Sequence, residues 1–117
     1  MSQRKYKVTS TTNEFTGMVY TGYIGGVYAG KISGYIREKG VFEIHSSSLE
    51  AEFRGATTVR AFKEITDAIM KDFHCVLAKI PNSRIDSLRM ALGQGFKIIG
   101  TSTYCDVLAV DLMRREE

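Results

Sequence analysis

The sequence predicts an α/β chain: a mixed sheet of α+β character carrying two helices. Three observations point there. Up to Leu49 the chain is dense in Tyr, Val, Ile and Thr broken by glycines, a strand composition; from Ala56 the apolar period becomes helical; and beyond that helix, strand, helix and two further strands follow. With 117 residues there is enough chain for one hydrophobic core and hardly for two, so 1–117 reads as a single domain.

Phe15 to Ile24 and Val27 to Arg37 are expected as two strands of a hairpin turning at Gly25-Gly26. Gly17, Gly22, Gly30 and Gly34 interrupt them, as bulges, twist or close backbone approach would require. Glu38-Lys39-Gly40 turns into a third strand, Val41 to Leu49, and residues near Val8 add a short edge strand. Val59, Phe62, Ile65, Ile69 and Phe73 then mark the apolar stripe of an amphipathic helix of about sixteen residues. Cys75 to Ile80 is an apolar run of the kind buried inside a sheet. Pro81 closes it, and Asn82 or Ser83 is expected to cap a second helix, with Asp86 completing a capping box and Ile85, Leu88 and Leu92 as its buried stripe. Gly93-Gln-Gly95 ends that helix, and Phe96 to Ile99 and Tyr104 to Leu112 are the last two strands.

Composition narrows the function classes. Apolar residues make up 44% and charged residues 25%, which suits a packed core and not a disordered tail. A net charge of +3, spread over short groups such as Arg4, Lys5 and Lys7, supplies no concentrated nucleic-acid groove. Tyr20, Tyr23, Tyr28 and Tyr35 would be needed to stack bases, and strand tyrosines ordinarily pack, so a nucleic-acid module ranks last. Cys75 and Cys105 sit among apolar residues without a C-x-x-C pairing and are expected as free thiols of an intracellular protein. No run reaches the ~18 apolar residues of a membrane span, and the N-terminus lacks the apolar segment of a signal peptide. No metal-ligand pattern is visible. The expectation is a cytoplasmic chain, with exposed glycine-rich strand edges suited to a homo-oligomer or a protein partner.

Phe42-Glu-Ile-His-Ser-Ser-Ser-Leu-Glu-Ala-Glu-Phe-Arg-Gly-Ala56 and its following helix resemble the strand and pyrophosphate loop of the GNAT acetyltransferases. Ala78-Lys-Ile-Pro-Asn82 and Leu92-Gly-Gln-Gly-Phe-Lys-Ile-Ile-Gly100 resemble that family's later strand, its Asn-led helix and its Gly-Phe return. The resemblance runs from Phe15 to Leu112 and implies a GNAT-like fold lacking most of the N-terminal helical region. It implies acetyl-CoA as the cofactor, with Leu49, Arg54, Gly55, Ala56, Thr57, Thr58 and Asn82 as binding positions. The physics of such a loop is general: unpaired N–H groups and the positive end of a helix dipole converge on an anion. Glu43 and His45, two apart on one strand and therefore expected on one side with Ser47 continuing it, are the candidate general bases.

Several positions depart from the family pattern. With Arg54 at the head of the loop, Thr57 and Val59 stand where small residues are usual, although the Thr57 and Thr58 hydroxyls can donate hydrogen bonds in compensation. Met90, Ala91 and Leu92 stand where active relatives carry an acidic tyrosine, leaving Tyr104 as a candidate replacement. Fourteen residues precede Phe15, too few for the family's first strand and two helices, so an acceptor pocket would either need a partner chain or be absent. Taken together, the departures favour a non-catalytic structural or assembly protein over an enzyme, in the manner of small GNAT-like proteins of tailed bacteriophages linked to head or virion assembly, placed in host cytoplasm or virion. The alternative is a minimal acetyl-CoA-dependent N-acyltransferase.

Overall fold

A computed structural model describes residues 5–12, 17–55, 58–104 and 107–115. The strands are β1 (Tyr6–Thr12), β2 (Gly17–Ile24), β3 (Val27–Glu38), β4 (Val41–Leu49), β5 (Cys75–Pro81), β6 (Lys97–Tyr104) and β7 (Val107–Arg115); the helices are α1 (Thr58–Asp72) and α2 (Ile85–Gly93). They form one mixed sheet in the order β1-β2-β3-β4-β5-β7-β6. This is a reduced GNAT-like fold, as the sequence predicted. The starts of the predicted strand at Phe15 and helix at Ala56, together with Thr57 and Cys105, lie outside the described residues.

The β2–β3 turn falls at Gly25 and Gly26, with φ of 59° and 82°, the conformation a two-residue hairpin needs. Strand alternation then sorts β2–β4 into two faces. Tyr20, Ile24, Ile32, Phe42 and Leu49 face α1 and form the core with its Phe62, Ile65 and Ile69. Close packing explains Gly22: a Cβ there would lie 2.8 Å from the Ile65 side chain. The tyrosines are occupied by packing and hydrogen bonds. Tyr20 is buried edge-on to Phe42 and donates to Asp72 at 2.6 Å, Tyr23 and Tyr28 meet edge-on, and Tyr35 donates to Glu43. Burial, then the Asp72 carboxylate, raises the Tyr20 phenol above its ordinary value, so it remains a neutral donor.

Only residues 13–16 separate β1 from β2. No helix pair fits in that connection, and among the described residues no helix covers the face of β2–β4 opposite α1, where Tyr28 and Tyr35 are more than a third exposed.

Three local expectations change. The edge strand expected near Val8 is β1, longer than expected and paired with β2 along all seven residues. The capping box does not form: Arg84 is the N-cap of α2 and no side chain caps it. A backbone turn in which Arg84 N–H donates to the Pro81 carbonyl at 2.9 Å carries the chain into the helix, and leaves Asn82 and Ser83 exposed on the turn. The buried stripe also shifts: Ala91 is buried, whereas Ile85 and Leu92 are 50% and 46% exposed. The helix end sets that rotation. Phe96 N–H donates to the Ala91 carbonyl and Gly95 N–H to that of Leu92, with Gly95 at φ 96°, so the closing motif draws Ala91 and Phe96 together into the core. Among the described residues no helix is long and apolar enough to cross a membrane.

Candidate functional site

The site follows from how β5 is bordered. On one side all seven of its residues pair antiparallel with β7, from Cys75↔Arg115 to Pro81↔Ala109. On the other, the parallel pairing with β4 covers Val41↔Cys75, Phe42↔Val76 and Glu43↔Leu77 and goes no further. Beyond Glu43 and Leu77 the two strands diverge. A cleft of about 500 Å³ opens there, between residues 44–49 of β4 and 78–81 of β5, with α1 and α2 as its other walls. Backbone groups on the inner edges of the diverging strands have no ladder partner and are available to a bound chain.

A second irregularity lies on β4. Ser33 pairs with Ser46 and Gly34 with Ile44, so His45 is the extra residue of a β-bulge. The bulge changes the expected alternation. Ser46, not Ser47, continues the Glu43 face, and its hydroxyl meets that of Ser33 at 2.5 Å. His45 is exposed and lines the cleft. Glu43 is placed differently: Tyr35 Oη donates to one carboxylate oxygen, and Arg37 Nη1 contacts the other at 2.9 Å. Glu43 is not among the residues lining the cleft. The candidate bases thus divide into an accessible imidazole and a carboxylate engaged by two donors.

At the outer rim, Leu49, Arg54 and Thr58 line the cleft. Arg54 Nε donates to the Leu49 carbonyl at 3.0 Å, which folds the side chain back onto the end of β4. Gly55 adopts φ 112° and its N–H donates to Thr58 Oγ1 at 2.6 Å, while Thr58 N–H donates to the Gly55 carbonyl. The amide of Gly55 is therefore occupied by the hydroxyl that opens α1. Val59 lies outside the cleft lining, with a methyl 3.5 Å from where a Cβ on Gly93 would sit. Asn82, on the turn after β5, is also outside the lining, and Ala56 and Thr57 lie outside the described residues.

Sequence reasoning missed Arg84, Ser87 and Gln94, all of α2 or its caps and all lining the cleft. Arg84, just beyond the end of β5, joins Arg54, beyond the end of β4, among the cations that line the cleft, with Lys79 a third. Pro81 just ahead of Arg84 signalled a turn, but nothing local said which side chain of that turn would meet the cleft. Met90 and Ala91, which stand in place of the expected tyrosine, line the cleft too; the side chain of Tyr104 is outside the described set. The described residues contain no cluster of metal-ligating side chains.

No protein-family model matches this chain, and no curated protein matches it. Solved structures do. The aminoglycoside acetyltransferase AAC(6')-Ib in complex with coenzyme A and kanamycin superposes with a TM-score of 0.72 at 18% identity, over 86% of this chain and 67% of that one. A Bacillus subtilis acetyltransferase in complex with CoA matches with a TM-score of 0.72 at 13% identity, over 97% of this chain and 99% of its own. The ribosomal-protein-S5-alanine acetyltransferase of Vibrio fischeri matches with a TM-score of 0.68 at 15% identity, over 87% and 63%. The chain therefore spans about two thirds of the aminoglycoside and ribosomal-protein enzymes. At these identities the likeness is one of fold, that of the GNAT acetyltransferases.

These matches overturn the expectation that the chain is better read as a non-enzyme. Shortness was one ground for it, and the Bacillus subtilis acetyltransferase holds CoA on a chain that matches this one end to end. Obstruction of the anion loop by Val59 was another, and Val59 stands clear of the cleft. None of the matches described supports a bacteriophage or virion role.

Proposed function

We propose that this chain is an acetyl-CoA-dependent N-acyltransferase. The observation that carries the reading is the early end of the β4–β5 ladder at Glu43↔Leu77, which opens a cleft between two strand edges with arginines at its rim. The donor set suits a CoA thioester. Arg54 and Arg84 answer the phosphates by charge, and Thr58, the first residue of α1, stands at the positive end of the helix dipole. Amides and carbonyls on the β5-facing edge of residues 44–48, beyond the end of the β4–β5 ladder, answer the amides of the pantetheine arm. Leu49 closes the apolar wall there. When bound, acetyl-CoA supplies the activated acyl carbon.

The chemistry left to the protein is proton transfer and positioning. His45, re-aimed by the bulge into the cleft, takes a proton from the acceptor amine, directly or through one water, as nitrogen attacks the thioester carbon. Glu43 lies next to this path, with its charge balanced by Arg37. The unpaired β4 amides stabilise the carbonyl oxygen as charge develops on it. The carbon–nitrogen bond forms, the carbon–sulfur bond breaks, and the departing thiolate takes the proton that His45 accepted, directly or through water, so that CoA leaves as the thiol and His45 is reset. The open face of β2–β4 leaves the acceptor unobstructed access.

Titration calorimetry with CoA tests the reading, with adenosine 3′,5′-bisphosphate as the phosphate-end control. Saturable micromolar binding is expected, and Arg54→Ala is expected to weaken it about tenfold, the scale of one charge-assisted contact. Absence of heat at millimolar CoA, together with an unchanged Tm, would sink the proposal.

A further inference from the structure

Strand alternation divides the residues of β5 between the two faces of the sheet. Val76 and Ala78 share the core with Phe62 of α1 and Ala91 of α2, and Ile80 packs against it. Leu77 and Lys79 therefore stand on the opposite face, away from both helices. Lys79 is exposed, and it lines the cleft. Its register partner across the β5–β7 ladder is Asp111, an acid directly opposite a base, yet no ion pair joins them. Asp111 lies on the side of Lys79 away from β4 and accepts a hydrogen bond from Ser102 Oγ of β6 at 2.9 Å. Among the described residues the Lys79 ammonium has no partner.

The bulge sets His45 at the matching place on the other bank. Glu43↔Leu77 is the last rung of the β4–β5 ladder, and His45 and Lys79 each lie two residues beyond it. Both line the cleft, so imidazole and ammonium flank the narrow end of the opening. The rest of this face adds no acid to oppose the cation. Glu43 is balanced by Arg37 and takes the Tyr35 hydroxyl, and Lys31, exposed and opposite Ser48 in register, is a second positive charge. We propose that the acceptor is an amino acid, a small amine with a carboxylate close to its nitrogen, and that Lys79 holds the carboxylate while His45 takes the amine proton. In a cleft partly closed to water a charge-assisted contact of this kind is stronger than in bulk. An uncharged amine forgoes it, and a polycationic one meets Lys79 and Lys31 as like charges. This inference rests on the acyltransferase reading and names the acceptor of the same site.

Thiol release from acetyl-CoA tests it, measured with a panel of amino acids that lack thiols, each beside its own amide. The amine of an amide is less basic and so starts with the larger unprotonated fraction, an advantage the carboxylate has to overcome. At least one acid is expected to exceed its amide about tenfold in kcat/KM, the size of one charge-assisted contact. Lys79→Met keeps the length of the side chain and drops its charge. It should raise KM for that acid about tenfold, bring acid and amide level, and leave CoA affinity by calorimetry unchanged; Lys79→Arg should restore part of the preference. Amides that match or exceed their acids across the panel would overturn the inference with the unaltered chain alone. So would a preference that survives Lys79→Met, or a loss of CoA affinity in that variant, which would assign Lys79 to the phosphates. If CoA binds and no member of the panel releases thiol, this inference fails and the cofactor reading stands; if CoA does not bind, both fail.

Discussion

Strand β5 has two borders, and they differ in kind. Toward β7 it pairs along its full length, and Arg114 of β7 reaches Asp67 of α1 at 2.5 Å, tying helix to sheet across that border. Toward β4 it pairs over three positions and then separates, next to a bulge that displaces His45. One border is built for stability and the other forgoes hydrogen bonds in order to leave backbone edges unpaired. Such a sacrifice in the middle of a sheet, where edges are normally covered, is a functional signature in its own right.

The sharpest way to break the contrast is on the open side. A Cβ on Gly34 would lie against the Glu43 carbonyl and 2.7 Å from the Phe42 ring, so the strand beside the bulge must shift. Gly34→Ala is expected to lower stability by about 3 kcal/mol, read from urea unfolding, and to weaken CoA binding in proportion to the residual distortion of β4. A neutral result would mean that the bulge is not pinned by this close approach.

His45→Gln leaves the backbone alone and removes only the proton acceptor. About a hundredfold loss of kcat is expected with unchanged affinity for CoA, measured as thiol release against a panel of amines. Retained activity would transfer the role of base to Glu43, and Glu43→Gln would then show the loss.

The smallest effect belongs to the closed border. Burial opposes ionisation of Asp67, but the bonds from Lys63 and Arg114 outweigh it and hold the carboxyl below its ordinary value. A depressed folded value stabilises above the unfolded pKa and is lost as pH falls through the folded one. Asp67→Asn is therefore expected to cost up to about 1 kcal/mol at neutral pH for this partly exposed group, with the difference from the parent shrinking below about pH 4. A pH-independent difference would show that packing, not charge, is what the side chain contributes.

Much of this was legible in order along the chain. The β3–β4 register leaves β4 at Val41–Leu49 as composition predicted, and Phe62, Ile65, Ile69 and Phe73 of the predicted stripe are buried while Val59 at its head is 42% exposed; the successes rest on period and turn residues, which are local properties. The rim arginine at 54 was visible as the cation before a helix. Arg84 and Gln94 were not: each belongs to a turn or helix end whose meaning depends on what α1 presents opposite. The rotation of α2, which buries Ala91 and exposes Leu92, was likewise set by the Phe96 closing contact and not by the helix's own pattern.

The sequence by itself determined the elements, the buried side of α1 and the presence of a GNAT-like order of motifs, since each depends on residues within one or two turns of one another. Tertiary structure alone decided that β4 and β5 separate after three pairs, that a bulge turns His45 into the cleft, and that Thr66 and Gln94 meet. Those facts depend on register between distant segments, and a shift of one residue in a strand exchanges its faces without changing any local pattern.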